Sequence, residues 1–472
     1  MAREYKLLID GALKLGASSF DVINPATEQP VASCPKADMA QLNEAVAAAK
    51  RAFPAWSARN IEDRAALIST LAEKLKERAS EFASLLTSEQ GKPLNQAGQE
   101  IGGAVYILRT FAGMRLETKV LREKNGNRVT EHRTPLGVVA AITPWNYPVI
   151  LLVQKLAPAL LAGNTIVCKP APTTPLTTLL FGEICQEVLP AGVVNIICDQ
   201  NDLGAALTSH PDVAKVTFTG STATGKRVMA SVADTLKRVS LELGGNDAAI
   251  VLDDIDPKLA AEKIYGGAMV NAGQICVAIK RAYVPESMYD EFCDAIGALA
   301  KEAIVDDGAK QGTTIGPIQN RAQYERVLDL IADARANGTI VAGGDVPEGP
   351  GYFVPPTIVR DLDDNARLVR EEQFGPVLPV LKYKDLDEVI ARANESEYGL
   401  GGTVWGRDVD RATQVAERIN TGTVWVNQYL AIDPRIPFRG AKQSGFGAEL
   451  GEEGLHEFTQ PHVVNAVPLE TA

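Results

Sequence analysis

The chain has 472 residues, 46% hydrophobic, 6% aromatic and 22% charged. That is an ordinary globular composition, and at roughly 150 residues per domain it has room for about three domains with a large core. Lys and Arg number 47 against 59 Asp and Glu, a net charge of −12, and no basic run occurs, which excludes binding through a nucleic-acid backbone. The 40 Gly and 27 Pro follow no period, which excludes a fibre. The six cysteines (34, 168, 185, 198, 276 and 293) lie far apart, with no C-x-x-C and only four His in the chain. A zinc site or a disulfide framework is therefore not expected.

The opening segment MAREYKLLIDGALK has no long apolar stretch, so no signal peptide is expected. In residues 61–90, Ile68, Leu71, Leu75, Ala79 and Phe82 recur at three- and four-residue spacing, which predicts one amphipathic helix closed by Gly91. Thr134 to Gln154 is 21 residues without a charge, long enough to suggest a membrane span. Pro135, Pro144 and Pro148 break it into strand, loop and helix. A cytoplasmic protein with reduced thiols and no membrane partner is the expectation. Strands are predicted at 137–142, 165–168 and 213–218, and helices at 149–161, 176–188 and 223–236. This alternation implies a parallel, doubly wound α/β sheet, which binds ligands beyond the carboxyl ends of its strands. Those ends carry Thr143-Pro144-Trp145-Asn146, Lys169-Pro170 and Thr219-Gly220-Ser221. A second α/β unit begins near Gly244-Gly245, with strands at 248–252, 377–381, 403–404 and 423–426 and helices at 288–303, 322–336, 386–393 and 411–418. Residues 117–133 and the last dozen alternate as strands that fit neither unit. Such protruding edges usually pair with another chain.

Five segments carry candidate chemistry. Cys276 follows Asn271-Ala272-Gly273-Gln274-Ile275; it is either a nucleophile that forms a thioester or a buried inert thiol. Glu242 stands between Leu241 and Leu243, and there a carboxylate is costly unless it has a partner or a purpose. It reads as a general base with a raised pKa or as a salt-bridged strand residue. The Asn146 amide can donate to an oxyanion or simply serve its turn. Lys169 can reach a ribose hydroxyl or phosphate, or remain a solvated strand-end lysine. Gly220-Ser221-Thr222-Ala223-Thr224-Gly225 follows a strand and opens a helix, a setting that binds phosphate, although it is not G-x-G-x-x-G.

Taken in order, Thr143-Pro144-Trp145-Asn146-Tyr147-Pro148, Phe218-Thr219-Gly220-Ser221-Thr222, Leu241-Glu242-Leu243-Gly244-Gly245 and Gly273-Gln274-Ile275-Cys276 form one half of a larger pattern. Glu371-Glu372-Gln373-Phe374-Gly375-Pro376-Val377, Trp425-Val426-Asn427 and Pro437-Phe438-Arg439-Gly440-Ala441-Lys442-Gln443-Ser444-Gly445 complete it. The whole resembles the NAD(P)-dependent aldehyde dehydrogenase superfamily over nearly the full chain. The resemblance implies an α/β fold with a Rossmann-type cofactor domain (1–116 and 134–244) and an α/β catalytic domain (245–441). It also implies a small β oligomerisation domain (117–133 and 459–472) that builds a homodimer or homotetramer.

The resemblance further implies roles. Cys276 attacks the aldehyde, the Asn146 amide and the Cys276 N–H hold the oxyanion, and Glu242 activates water against the thioester. NAD is the expected cofactor, with NADP possible. Lys169 and Glu372 would hold ribose hydroxyls, Ser221 and Trp145 the pyrophosphate, and Phe374 the nicotinamide riboside. Ile142, Thr143, Pro144, Gly204, Phe218, Gly220 and Leu243 complete the cofactor set. Pro172 stands where the family often has a Glu that repels a 2′-phosphate, Asn246 replaces a common lysine, and Arg439 a common glycine. Tyr147, Leu151, Gln154, Val270, Ile275, Val277, Ile432 and Phe438 would line the substrate pocket. With no Arg or Lys among them, a neutral aliphatic or aromatic aldehyde is expected. A carboxylated semialdehyde and a CoA-acylating reaction are the alternatives; Glu242 argues against the second. A Cys-dependent hydrolase would need a His partner, and His132, His210, His456 and His462 sit in no matching motif. A non-catalytic descendant would be free to lose Cys276 or Glu242.

Overall fold

Two parallel sheets, each covered by helices, organise residues 3–469, the part of the chain described by this computed structural model. The first contains β1 (Val138–Ile142), β2 (Thr165–Lys169), β3 (Val194–Ile196), β4 (Val213–Thr219) and β5 (Arg238–Glu242). All five residues of β1, VVAAI, are buried, as a strand covered on both faces requires. The parallel order is β3-β2-β1-β4-β5, with antiparallel strands Leu7–Ile9 and Gly445–Phe446 outside it. The chain winds outward from β1 to β3, then returns to the other side of β1, so the winding reverses between β1 and β4. Thr143 and Gly220 follow those two strands at the crevice where such sheets bind ligands.

The second sheet contains β6 (Asp247–Val251), β7 (Ile279–Pro285), β8 (Thr357–Arg360), β9 (Val377–Tyr383), β10 (Gly401–Trp405) and β11 (Thr423–Val426). Its parallel order is β8-β9-β7-β6-β10-β11, with the antiparallel strand Thr339–Ala342 outside β8. Each sheet has its own apolar core, and a small third cluster joins Ile275, Val277, Ala278 and Leu400.

The strand candidates outside both units form a third sheet. Lys119–Lys124 and Asn127–Pro135 make a hairpin, and Thr459–Ala466 pairs with the second of them. The hairpin turn is Asn125-Gly126, with φ of 51° and 78°, the left-handed pair that a tight two-residue turn demands. Val120, Leu121, Val463 and Val464 are exposed on this sheet. Of the expected 459–472 strand, residues 470–472 lie outside the described residues.

Other expectations need correction. The single helix at 61–90 is two, Ile61–Glu77 and Ala79–Gln90, broken at Arg78 (φ −102°, ψ 14°). The apolar spacing continues through the break because both helices pack on one core, so periodicity alone does not reveal it. Gly91 does close the second helix, at φ 98°. The helix expected to Leu236 ends at Val232. β3, β7, β8 and the helix Pro257–Met269 were not anticipated. Among the described residues no helix is long and apolar enough to cross a membrane. Pro135 ends a strand and Pro148 opens the helix Pro148–Ala162.

Candidate active site

Cys276 lies on the loop between Pro257–Met269 and β7. Asn271, Ala272 and Gly273 take φ of 53°, 53° and 70°, and a left-handed stretch with two non-glycine residues costs free energy that surrounding bonds must offset. Those bonds are present. Gln274 Nε2 donates to Asn271 O at 2.9 Å, and Gln274 Oε1 accepts from Gln319 N at 2.9 Å. Asn271 Nδ2 donates to Asn146 O at 3.1 Å. Cys276 itself is half-buried. Burial pushes its thiol up to about 12, and Lys280 is the largest influence pulling it back down.

Asn146 sits at the crevice after β1. Its Nδ2 donates to Gln274 O at 3.0 Å, tying the amide to the cysteine loop. Its carbonyl accepts from Lys92 Nζ at 2.9 Å. Lys92 is buried, pairs with Glu100 at 2.5 Å, and stands 3.5 Å from the centre of the Tyr147 ring. Glu100 also accepts from Val149 N at 2.9 Å and Ile150 N at 3.2 Å, in the first turn of Pro148–Ala162. One buried ion pair thus fixes the Asn146 backbone, the Tyr147 ring and the start of the next helix.

Glu242 ends β5, in register with Thr219 of β4. It is buried, and its Oε2 has no hydrogen-bond partner. Burial holds its carboxyl well above the usual carboxylate range; Glu449 adds to this, and Lys155 opposes it. Lys155 is fully buried, donates to Thr219 Oγ1 at 2.6 Å, and forms an ion pair with Glu449.

Two cavities meet at the sulfur, and Asn146, Leu151, Thr219 and Cys276 line both. The first, of about 180 Å³, is walled by Pro144, Trp145, Gly220, Ser221, Leu243, Glu372 and Phe374, all of them expected cofactor residues. Trp145 meets Phe374 edge-on at 5.3 Å. A side chain on Gly244 would strike Glu372 Oε2 at 2.5 Å, so the glycine leaves that wall open. Ser221 caps the helix Thr222–Val232, accepting from Thr224 N at 3.3 Å, and directs a helix N-terminus at the cavity, as a pyrophosphate requires. The remaining expected residues stand behind or beside this wall. Ile142, Thr143 and Phe218 are buried at the strand ends, and Thr143 Oγ1 has no partner. Pro172 and Gly204 are half-buried nearby. Lys169 is not free: its Nζ donates to Asp199 Oδ1 at 2.6 Å, with both side chains buried.

The second cavity, of about 280 Å³, takes in Tyr147, Gln154, Ile275, Val277, Ile432 and Phe438 from the expected set. Val270 is the exception. It packs against Ile275 and Val277 from behind, since the left-handed turn after it carries the chain away from the wall. Glu242 and Glu449 reach this cavity, and Tyr106, Ile107, Ile150, Leu430 and Pro434 extend it. Sequence reasoning missed Lys92, Glu100, Lys155, Glu449 and Asp199. A signal existed for Lys155, a lone charge in the apolar run VILLVQKLAPALLA.

A cysteine, a carboxamide and an unpartnered buried carboxylate thus gather where a helix N-terminus faces a crevice. The model of the aldehyde dehydrogenase family matches residues 14–464. The chain belongs to the aldehyde dehydrogenase family. It is 41% identical to the mitochondrial aldehyde dehydrogenase of Leishmania tarentolae over 98% of this chain and 94% of that one. It is 39% identical to the chloroplastic betaine aldehyde dehydrogenase of Beta vulgaris, covering 96% of this chain and 94% of that one. The NAD+ complex of the Bacillus cereus aldehyde dehydrogenase is similar at a TM-score of 0.96 and 37% identity, over 98% of this chain and 96% of that one. The dehydrogenase oxidises aldehydes with a nicotinamide cofactor and uses NAD.

Proposed function

We propose that this dehydrogenase converts a neutral aliphatic or aromatic aldehyde to its acid through a covalent bond to Cys276. One observation carries the reading: Cys276, Asn146 and Glu242 open onto a single apolar cavity that has no Lys or Arg in its wall. The cysteine sulfur attacks the carbonyl carbon. The oxygen that gains the charge is met by the second Asn146 amide proton and the Cys276 N–H, each such donor being worth about 2.7–4 kcal/mol at the transition state. NAD, when bound beside Trp145, Ser221, Glu372 and Phe374, supplies the hydride acceptor. Loss of the hydride leaves the acyl group on sulfur as a thioester. Glu242 then takes a proton from water as the water adds to that carbon, and the carbon–sulfur bond breaks to release the acid and return the Cys276 sulfur as the leaving group. The unpartnered Oε2 of Glu242 and its raised pKa make it a stronger base than an exposed carboxylate. A carboxylate at the far end of a substrate would find no cation in the wall. Arg435, next to the mouth residue Pro434, is committed to Asp433 at 2.9 Å.

The three-stranded sheet, with its exposed valines, supports the reading of 117–133 and 459–472 as a contact with further copies in a dimer or tetramer. The two parallel sheets support the division into a cofactor domain and a 245–441 catalytic domain. Six free cysteines are in keeping with a reducing compartment such as the cytoplasm. The test pairs substrates with a variant. The protein should turn over hexanal or benzaldehyde with a higher kcat/KM than succinic semialdehyde, and Cys276→Ala should abolish oxidation while NADH still binds. Preference for the semialdehyde overturns the substrate class; turnover by Cys276→Ala overturns the nucleophile.

A further inference from the structure

After Lys92 and Lys155, Lys280 is the third buried lysine of the site to which sequence reasoning gave no role. It stands at the start of β7 and is 1% exposed. Its Nζ makes three hydrogen bonds, and none goes to a carboxylate. They go to the carbonyls of Ile275 at 2.7 Å, Cys276 at 2.8 Å and Ala278 at 3.2 Å. A buried ammonium that spends all its protons on peptide carbonyls within the four residues Ile275 to Ala278 has been given a positional task, since lysine is rarely buried without a carboxylate partner.

The shortest bond decides what the task is. In a trans peptide, the C=O of one residue and the N–H of the next point in opposite directions, and this chain has no cis peptide bonds among the described residues. Holding Ile275 O therefore aims the Cys276 N–H away from Lys280. Among the described residues that N–H donates to no acceptor. A cation on the carbonyl also polarises the peptide, which strengthens the N–H as a donor. The Lys280 backbone is itself fixed: Gln373 Nε2 donates to Lys280 O at 3.0 Å and to Val377 O at 2.8 Å. The turn that Lys280 ties down is entered through the left-handed Asn271-Ala272-Gly273 stretch, so without the lysine the strained loop has fewer bonds to hold its orientation.

We propose that Lys280 is a positioning residue for the oxyanion site, acting through the Ile275 carbonyl to orient and polarise the Cys276 N–H. This rests on the reading of Cys276 as the nucleophile. It assigns the two halves of the oxyanion site to two buried lysines, Lys92 behind Asn146 and Lys280 behind Cys276.

The experiment separates a reaction that needs the oxyanion site from one that does not. Stopped-flow NADH bursts with hexanal require the tetrahedral oxyanion, whereas alkylation of Cys276 by iodoacetamide is a displacement at a saturated carbon and requires only the thiolate. Lys280→Met should slow the burst at saturating hexanal by about 10- to 100-fold, somewhat less than outright removal of a donor. The burst should lose at least about fivefold more than alkylation does, because alkylation registers only the lost charge. Lys280→Arg should recover most of the burst. Equal losses in both reactions would make Lys280 a charge beside the thiolate and overturn the proposal, as would a burst within about twofold of wild type. Should Lys280→Met fail to bind NADH, Lys280→Gln, which removes the charge but keeps a polar amide, takes its place with the same criterion. A burst from Cys276→Ala would instead sink the underlying reading, whatever Lys280 does.

Discussion

The buried group next to Glu242 offers a test whose sign is fixed in advance. Thr219 and Glu242 are register partners on adjacent strands, about 4.8 Å apart in such a pair, and Lys155 Nζ lies 2.6 Å from Thr219 Oγ1. The ammonium is then roughly 6 Å from the Glu242 carboxyl, where Coulomb's law with an effective dielectric of about 20 gives about 2.8 kcal/mol, or a displacement of about two pH units. Glu242 must be ionised to act as a base, so the rate of thioester breakdown rises with pH through its pKa. Lys155→Met removes the cation that favours the carboxylate and should move that rising limb to higher pH. The displacement should be about one to two pH units, the upper figure being the full attraction of the pair. Glu449→Gln removes the like charge and leaves Lys155 unpaired, so it should move the limb to lower pH. Single-turnover decay of the acyl-enzyme, followed by quenched flow from about pH 5 to pH 10, reads both. Displacements in the same direction, or of less than about 0.3 pH units for both variants, would refute the assignment of Glu242 as the base governed by this pair.

Three further outcomes follow from the same geometry. Glu242→Gln should keep the NADH burst with hexanal and slow steady turnover by about 100-fold or more, the usual reach of a general base; an unchanged steady rate would place the base elsewhere. Lys92→Met strands the Glu100 carboxylate in the core and should cost about 3–5 kcal/mol, measured by denaturant unfolding, while Lys92→Met combined with Glu100→Gln should recover part of it. A double variant no more stable than the single would mean that the pair is not the unit at work. Asp199→Asn frees Lys169 from its carboxylate and should raise the kcat/KM ratio of NADP to NAD by about tenfold, or about 1.4 kcal/mol. No change would mean that the 2′-phosphate does not approach this pair.

Much of the fold was legible because buried parallel strands read as short apolar runs ending in turn residues. β1, β2 and β4 were located to within a residue or two on that basis. β7 was not: IKRAYVP carries two charges in seven buried positions, and Lys280 and Arg281 break the apolar pattern because their charges turn inward to peptide carbonyls. The hairpin at 119–135 was legible from alternation, and the contact with another chain expected of it depends on surfaces that a single chain leaves bare. Among site residues, the strand-end motifs pointed Asn146 and Ser221 to one crevice, and it was the family resemblance that joined Glu242 and Cys276 to them. Asp199 escaped because its meaning lies in a contact with Lys169, thirty residues away, made from the loop after the neighbouring strand.

Buried lysines explain why the rest of the site was hidden. Lys92, Lys155, Lys215 and Lys280 are all but inaccessible. Lys215 serves as the contrast: it donates to Ser240 at 2.6 Å and pairs with Glu457 at 3.4 Å, joining the C-terminal segment to the first sheet away from both cavities. The other three each stand behind one working group: Lys92 behind Asn146, Lys155 beside Glu242, Lys280 behind Cys276. In the proposed mechanism the chemistry passes through three anions (a thiolate, an oxyanion and a carboxylate), and an apolar interior opposes every one of them. Cations in the wall itself would solve this at the cost of trapping acidic products and inviting water. Set one layer back and reaching forward through a carbonyl or a hydroxyl, they stabilise the anions while the surface that meets the aldehyde stays apolar. Their partners lie 8 residues away for Lys92, 294 for Lys155 and 4 or 5 for Lys280 in the ion pairs and hydrogen bonds concerned. No common spacing exists for a motif to record, and only the folded chain brings the three charges to one place.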